Sequence, residues 1–127
     1  MKVIKFGGSS LADAKQIKKV CSIVLSDRQR RIVVVSAPGK RDGNDTKVTD
    51  LLINLAQTCR DGGDKEAALD AVIERYASIA KDLHLGKEII TTIKKDLIGR
   101  IAKFSDNYGM FEDLLKAAGE DNSAKLV

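Results

Sequence analysis

Lys5 stands two residues ahead of Gly7-Gly8-Ser9-Ser10, and the chemistry open to that combination is the binding of phosphate. Paired glycines leave backbone N–H groups unobstructed. Where such a turn opens a helix, those groups lie at the positive end of the helix dipole. A lysine amine adds a mobile positive charge for terminal phosphates, and the Ser9 and Ser10 hydroxyls can donate hydrogen bonds. The same residues also read as a plain turn followed by a serine N-cap. Neither common nucleotide fingerprint is present: the Walker pattern needs Gly-x-x-x-x-Gly-Lys-Ser/Thr and the dinucleotide pattern Gly-x-Gly-x-x-Gly, whereas Leu11-Ala12 follow the serines here.

Three further positions carry candidate chemistry. Ser36 closes an apolar run, at the end of a strand where open α/β sheets bind ligands, and its plainer reading is a turn former. Thr49 opens a helical stretch and reads as its N-cap, a role that leaves the hydroxyl able to face a substrate. Glu120, near the expected start of a helix, in its plainest reading complements the dipole. His84, the single histidine, lies between Leu83 and Leu85 with no acid–base partner or metal-spaced ligand nearby, and reads as structural. No residue is assigned as a metal ligand.

The elements that must position these residues follow from periodicity. Lys2 to Phe6 is a short β-branched and aromatic strand that stops at the glycines. Leu11, Ala14, Ile17, Val20, Cys21, Val24 and Leu25 recur at helical spacing, with Ser9 or Ser10 as the expected cap. Ile32-Val33-Val34-Val35 is continuous and apolar, the pattern of a parallel strand covered on both faces. Strand, helix and strand form a βαβ unit with an expected right-handed crossover. A polar stretch, Lys40 to Lys47, reads as a mobile loop. Helical patterns follow through Leu51 to Ala56, Leu69 to Leu83 and Ile89 to Ile101, with turns at Asp61-Gly62-Gly63 and Gly86. Phe111 to Ala118 reads as a short helix stopping before Gly119, and Ser123 to Val127 as another just begun.

Composition narrows the class. The 127 residues carry a formal charge of +4, with 43% apolar and 31% charged residues, the balance of one soluble globular domain. No apolar stretch approaches the roughly 18 residues of a membrane span, and Lys2 and Lys5 interrupt the place where an export signal would carry its apolar core, so a cytoplasmic protein is expected. The basic run Arg28-Gln29-Arg30-Arg31 has no aromatic neighbour, which argues for a solvated turn and against a nucleic-acid surface. Cys21 and Cys59 read as small buried thiols, not a disulfide.

Taken together, the motifs resemble those of aspartate kinases, members of the amino acid kinase superfamily. Lys5-Phe6-Gly7-Gly8-Ser9-Ser10 is similar to that family's Lys-Phe-Gly-Gly-Thr-Ser, with Ser9 for threonine keeping the hydroxyl. Val33-Val34-Val35-Ser36-Ala37 resembles its second strand and serine. Thr49-Asp50-Leu51-Leu52 resembles its Thr-Asn/Asp-Leu-Leu, and Gly119-Glu120-Asp121-Asn122-Ser123-Ala124-Lys125-Leu126 its Gly-Glu-x-x-Ser-Ala-x-Leu. The resemblance implies transfer of the γ-phosphoryl group of ATP, with Mg2+, to the side-chain carboxylate of L-aspartate, the entry to lysine, threonine and methionine synthesis. It implies that Lys5 is catalytic and, with Gly7, Gly8 and Ser9, binds the nucleotide. Ser36 and Thr49 would meet the aspartate carboxylate, and Glu120 its ammonium group.

The expected fold is α/β: an N-terminal βαβ unit plus helices of an amino-acid-kinase-type sheet. Two strands alone are marginal, so residues 1–127 are expected to be the N-terminal part of a longer catalytic domain, lacking its nucleotide half and regulatory ACT domains. The parent enzyme is expected to be a homo-oligomer, and the 127-residue chain alone to be inactive. Two other classes remain open: a non-catalytic anion-binding module built on Gly7-Gly8, and a helical interaction domain over residues 64 to 118.

Overall fold

The computed structural model describes all residues, 1–127. Strand β1 (Lys2–Phe6) leads through a 3-10 turn (Gly8–Leu11) into helix α1 (Ala14–Leu25), and strand β2 (Arg30–Val35) returns alongside. Four helices follow: α2 (Val48–Asp61), α3 (Lys65–Asp82), α4 (Lys87–Ile101) and α5 (Tyr108–Leu126). The two strands pair in parallel, with Lys5 opposite Val34 and Phe6 opposite Val35. The α/β class and the βαβ unit are therefore as expected.

Three of the five α-helices, α1, α3 and α5, start on a short acidic or amide side chain. Asp13 accepts from the Gln16 amide, Asp64 from Ala67 and Asn107 from Met110, at 3.0, 3.1 and 3.2 Å. Each ties up a donor that the first helical turn leaves without a partner. Two expected caps are not formed. Neither Ser9 nor Ser10 caps α1, because the chain makes a 3-10 turn first and Asp13 takes the position. Thr49 lies inside the first turn of α2, whose cap is Lys47 without a side-chain bond.

Helix α3 ends with His84 at φ 59°. The Leu85 amide reaches back to the Ala80 carbonyl at 2.9 Å and the His84 amide to Lys81 at 3.0 Å. This is the Schellman arrangement, with histidine in the left-handed position usually held by glycine. The lone histidine is thus a helix terminator.

Three expectations about the chain after β2 are corrected. Gly119 does not break a helix: α5 runs unbroken from Tyr108 to Leu126. A side chain at Gly119 would place its Cβ 2.5 Å from the Ala37 Cβ, so the glycine serves close approach of α5 to the segment after β2. Glu120 consequently sits in the C-terminal half of a long helix, not near a helix start, and its dipole-complementing reading falls. The stretch Lys40 to Lys47 is free of helix and strand, yet it is pinned. Asp45 accepts from the Arg41 amide at 2.9 Å and from its guanidinium at 2.7 and 3.1 Å, and Asp42 accepts from the Asn44 amide.

The core is one cluster in which α2 packs against α3 and α5, and α4 closes over both of them. Phe6 is buried from the sheet side, with Ile4, Val33 and Val35 partly buried against the cluster. The other face of the sheet is bare: Val3, Ile32 and Val34 are exposed. The expectation that β2 is covered on both faces does not hold within this chain, since all the helices that contact the strands lie on one side. Cys21 and Cys59 are free, but half-buried instead of buried.

Candidate active site

Strand β1 delivers Lys5 and then Gly7-Gly8-Ser9 to the carboxyl end of the sheet, and β2, running parallel, delivers Ser36 to the same end. Two backbone contacts lock the strand-end loops together and seat the next helix. The Gly39 amide donates to the Gly8 carbonyl at 2.8 Å, and the Val48 amide donates to the Pro38 carbonyl at 3.0 Å. The first joins the two strand-end loops, and the second fixes the start of α2, and so Thr49, against them.

The closeness of the first contact depends on glycine. A Cβ on Gly39 would fall 2.7 Å from the Gly8 carbonyl carbon and 2.8 Å from the Ser9 nitrogen, both backbone atoms. Gly119 does the same on the far side, against Ala37. Through these contacts segments 8–9, 37–39 and the start of α2 meet at the carboxyl end of the sheet, and Gly119, the residue before Glu120, packs on Ala37 beside them.

The donors at this end are uncommitted. The amides of Gly7, Gly8 and Ser9 donate to no backbone carbonyl, because the turn hydrogen bond nearest to them runs from the Ser10 amide to the Gly7 carbonyl at 3.1 Å. Lys5 is exposed and enters no ion pair, unlike Lys2, which is held by Asp27 at 2.6 Å. Alternation along β1 sets Lys5 on the bare face of the sheet with Val3. Thr58, Thr91 and Thr92 each bond the carbonyl four residues behind. Thr49, in the first helical turn, has no helical carbonyl behind it and keeps its hydroxyl for other use.

These features fit a polyanion. Three successive N–H groups without a backbone acceptor, two residues beyond an unpaired lysine, are donors available to phosphate oxygens. The fit to a metal ion is different: no group of three or more His, Cys, Asp or Glu side chains gathers anywhere in the chain. These residues do not supply a magnesium cage.

Sequence reasoning missed two residues that shape this end. Gly39 was readable as part of a Pro-Gly turn, but its contact with Gly8 joins segments distant in sequence. Arg75 is buried, and its Nη2 donates to the Gly39 carbonyl at 2.7 Å and to the Ala12 carbonyl at 3.4 Å. Its only sequence signal is a charge set inside the apolar stripe of Val72, Tyr76 and Ile79. Burial pulls the Arg75 pKa down from the usual arginine value, while Asp45, 3.6 Å from its Nη1, opposes that effect. Burial also pushes the neighbouring Tyr76 phenol up.

Comparison with known proteins agrees with this geometry. The amino acid kinase family matches residues 1–127. The chain is 51% identical to Aspartokinase 3 of Bacillus subtilis over 127 residues, which is all of this chain and 28% of that protein. It is 32% identical to the aspartokinase of Chlamydia trachomatis over 126 residues, 98% of this chain and 26% of that protein. Among solved structures, Clostridium acetobutylicum aspartate kinase superposes with a TM-score of 0.85 at 32% identity, over 98% of this chain and 27% of that one. E. coli aspartokinase III in complex with aspartate and ADP superposes with a TM-score of 0.73 at 30% identity, over the same shares of the two chains. The chain thus spans little more than a quarter of the length of these relatives. With a family match along its whole length and the strand-end glycine edge that the fold builds, the chain belongs to the amino acid kinase family.

Proposed function

We propose that this chain forms the amino-terminal part of a longer, cytoplasmic aspartate kinase, which transfers the γ-phosphoryl group of ATP to the side-chain carboxylate of L-aspartate. The observation that carries the reading is the meeting of the Gly8 and Gly39 loops at the carboxyl end of the two parallel strands, with the start of α2 bonded to the same loop. The E. coli relative whose structure holds aspartate and ADP superposes on 98% of this chain with a TM-score of 0.73, which supports the reading.

Transfer between two anions requires alignment and charge neutralisation more than covalent help from the protein. Lys5 and the amides of Gly7 and Gly8, with the Ser9 hydroxyl, hold the terminal phosphate oxygens and offset the charge that builds up on them. Ser36 and Thr49 hold the aspartate side-chain end, and Glu120 accepts its ammonium group. An aspartate carboxylate is already ionised at neutral pH, so no general base is needed. Its oxygen bonds to the γ-phosphorus while the bond from that phosphorus to the bridging oxygen breaks, releasing ADP and 4-phosphoaspartate.

The test is Lys5→Met in the longer enzyme. Loss of a preorganised positive charge at the transferring group lowers kcat by about a hundredfold to a thousandfold. Unchanged turnover with aspartate and ATP would remove Lys5 from the mechanism and the reading with it.

A further inference from the structure

We propose that Arg75 and Tyr76, consecutive residues of α3, are the positioning residues of this site, Arg75 for the nucleotide side and Tyr76 for the aspartate side. The proposal deepens the kinase reading and rests on it for its kinetic arm.

Consecutive helical residues point about 100° apart, so one turn of α3 reaches two different segments. Arg75 donates to the Gly39 carbonyl at 2.7 Å, and the Gly39 amide in turn donates to the Gly8 carbonyl at 2.8 Å. Two hydrogen bonds therefore connect a buried guanidinium to the glycine turn that the kinase reading assigns to the phosphates. Tyr76, fully buried, donates its phenol hydrogen to the Gly119 carbonyl at 2.9 Å. That bond fixes the helical turn carrying Glu120, at the point where α5 comes closest to Ala37.

The way Arg75 is partnered sets it apart from a structural arginine. Arg100 spends its guanidinium on two carboxylates, Asp96 at 3.0 Å and Asp121 at 2.6 Å, with the Leu114 carbonyl as a third partner, and so staples α4 to α5. Arg75 hydrogen-bonds only backbone carbonyls, those of Gly39 and Ala12. Its Nε and Nη1 have no hydrogen-bond partner, and Asp45, already engaged by Arg41, lies 3.6 Å away. A charge buried at that cost is held where it grips the loops on either side of the glycine turn.

Two measurements test this. In the longer enzyme, with ATP and aspartate varied in turn, Arg75→Gln raises the KM for ATP about tenfold and that for aspartate less than about twofold. Arg75→Lys, which keeps the charge on a single donor nitrogen, falls between wild type and Arg75→Gln. Tyr76→Phe gives the reverse split, with the KM for aspartate raised several-fold and that for ATP held. In the 127-residue chain, Arg75→Lys speeds amide hydrogen exchange at Gly39 about tenfold and leaves Ile93 and Leu97 in α4 unchanged.

If both KM values move together, if neither moves, or if protection falls uniformly along the chain, the residues are merely structural and the proposal fails. Should the longer enzyme show no turnover of aspartate, the kinase reading fails, and the exchange measurement alone then decides whether Arg75 holds the Gly39 loop. Should Arg75→Gln fail to fold, Arg75→Lys and Tyr76→Phe still decide.

Discussion

Across α2, α3 and α5, Val48, Leu52, Leu55, Val72 and Leu115 are wholly shielded from solvent, whereas Val3, Ile32 and Val34 in the two strands remain 64%, 44% and 43% exposed. The helical half completes its own core. The strand half is finished on one face only, and its order at the site comes from backbone contacts between glycines and from the α3 side chains behind them. Stability is thus concentrated in one region and the candidate phosphate turn in the other, with Thr49 and Glu120 carried by the helices, and the regions are tied where Arg75 bonds the Gly39 carbonyl and the buried Tyr76 that of Gly119.

Truncating the helical core is expected to produce the largest effect. Leu55→Ala removes a fully buried side chain and costs about 2–5 kcal/mol, read as a fall in the midpoint of urea unfolding of the 127-residue chain. A loss under 1 kcal/mol would mean that this core is loosely packed and that the contrast between the two halves is unfounded.

A pair of glycine substitutions sharpens the contrast from the other side. Gly39→Ala drives a Cβ into the Gly8 backbone, and overpacking of this kind costs about 1–3 kcal/mol. Gly99→Ala, in α4 with nothing within 4 Å of the added carbon, stabilises by about 0.5–1 kcal/mol. Thermal unfolding of the two variants should therefore shift in opposite directions. Equal shifts would show that the Gly8–Gly39 contact is slack.

The same division governs what was legible in the sequence. Helices α2 to α4 and both strands follow from apolar periodicity, because each buries one stripe or face against a neighbour. The reading of Gly119 as a break failed because a glycine that ends a helix and one that admits a close neighbour look alike until that neighbour, Ala37, is known. The Ser9 or Ser10 cap failed because a 3-10 turn moved the helix start to Asp13, a residue equally suited to capping. The candidate site was legible from Lys5 to Glu120 as types and order. The clamp through Arg75 was not, since its partners lie 36 and 63 residues away in sequence.

A pH series probes the loop that joins the halves. The Arg41 guanidinium, hydrogen-bonded to Asp45, holds that carboxyl far below the usual carboxylate range, with help from the Arg41 amide and the charge of Arg75. A carboxyl whose folded pKa is depressed contributes stability above its unfolded value of about 3.9. That contribution drains away as pH falls below about 4 toward the folded value. Asp45→Asn should therefore lower the Tm at pH 7 and flatten its fall between pH 4 and 2.5. Asp27→Asn, at the exposed Lys2 pair, should change the curve less, because solvent screens that pair. A wild-type acid limb retained in Asp45→Asn would show that the loop is not pinned through this carboxylate.

The smallest effect is expected on the bare face of the sheet, and its size depends on what surrounds that face. Val34 is paired across from Lys5 and 43% exposed, so Val34→Thr in the 127-residue chain removes little packing and keeps a β-branched side chain suited to a strand. Its cost there should stay within about 0.5 kcal/mol. In a longer enzyme that covers this face, the added hydroxyl would be buried without a partner, and the cost would rise to about 1–3 kcal/mol. Urea unfolding of the two forms gives both values. Equal costs would mean that the continuous apolar run Ile32 to Val35 is matched by no covering layer. A difference of the expected size would show that the second face of the strand is completed by polypeptide beyond these 127 residues.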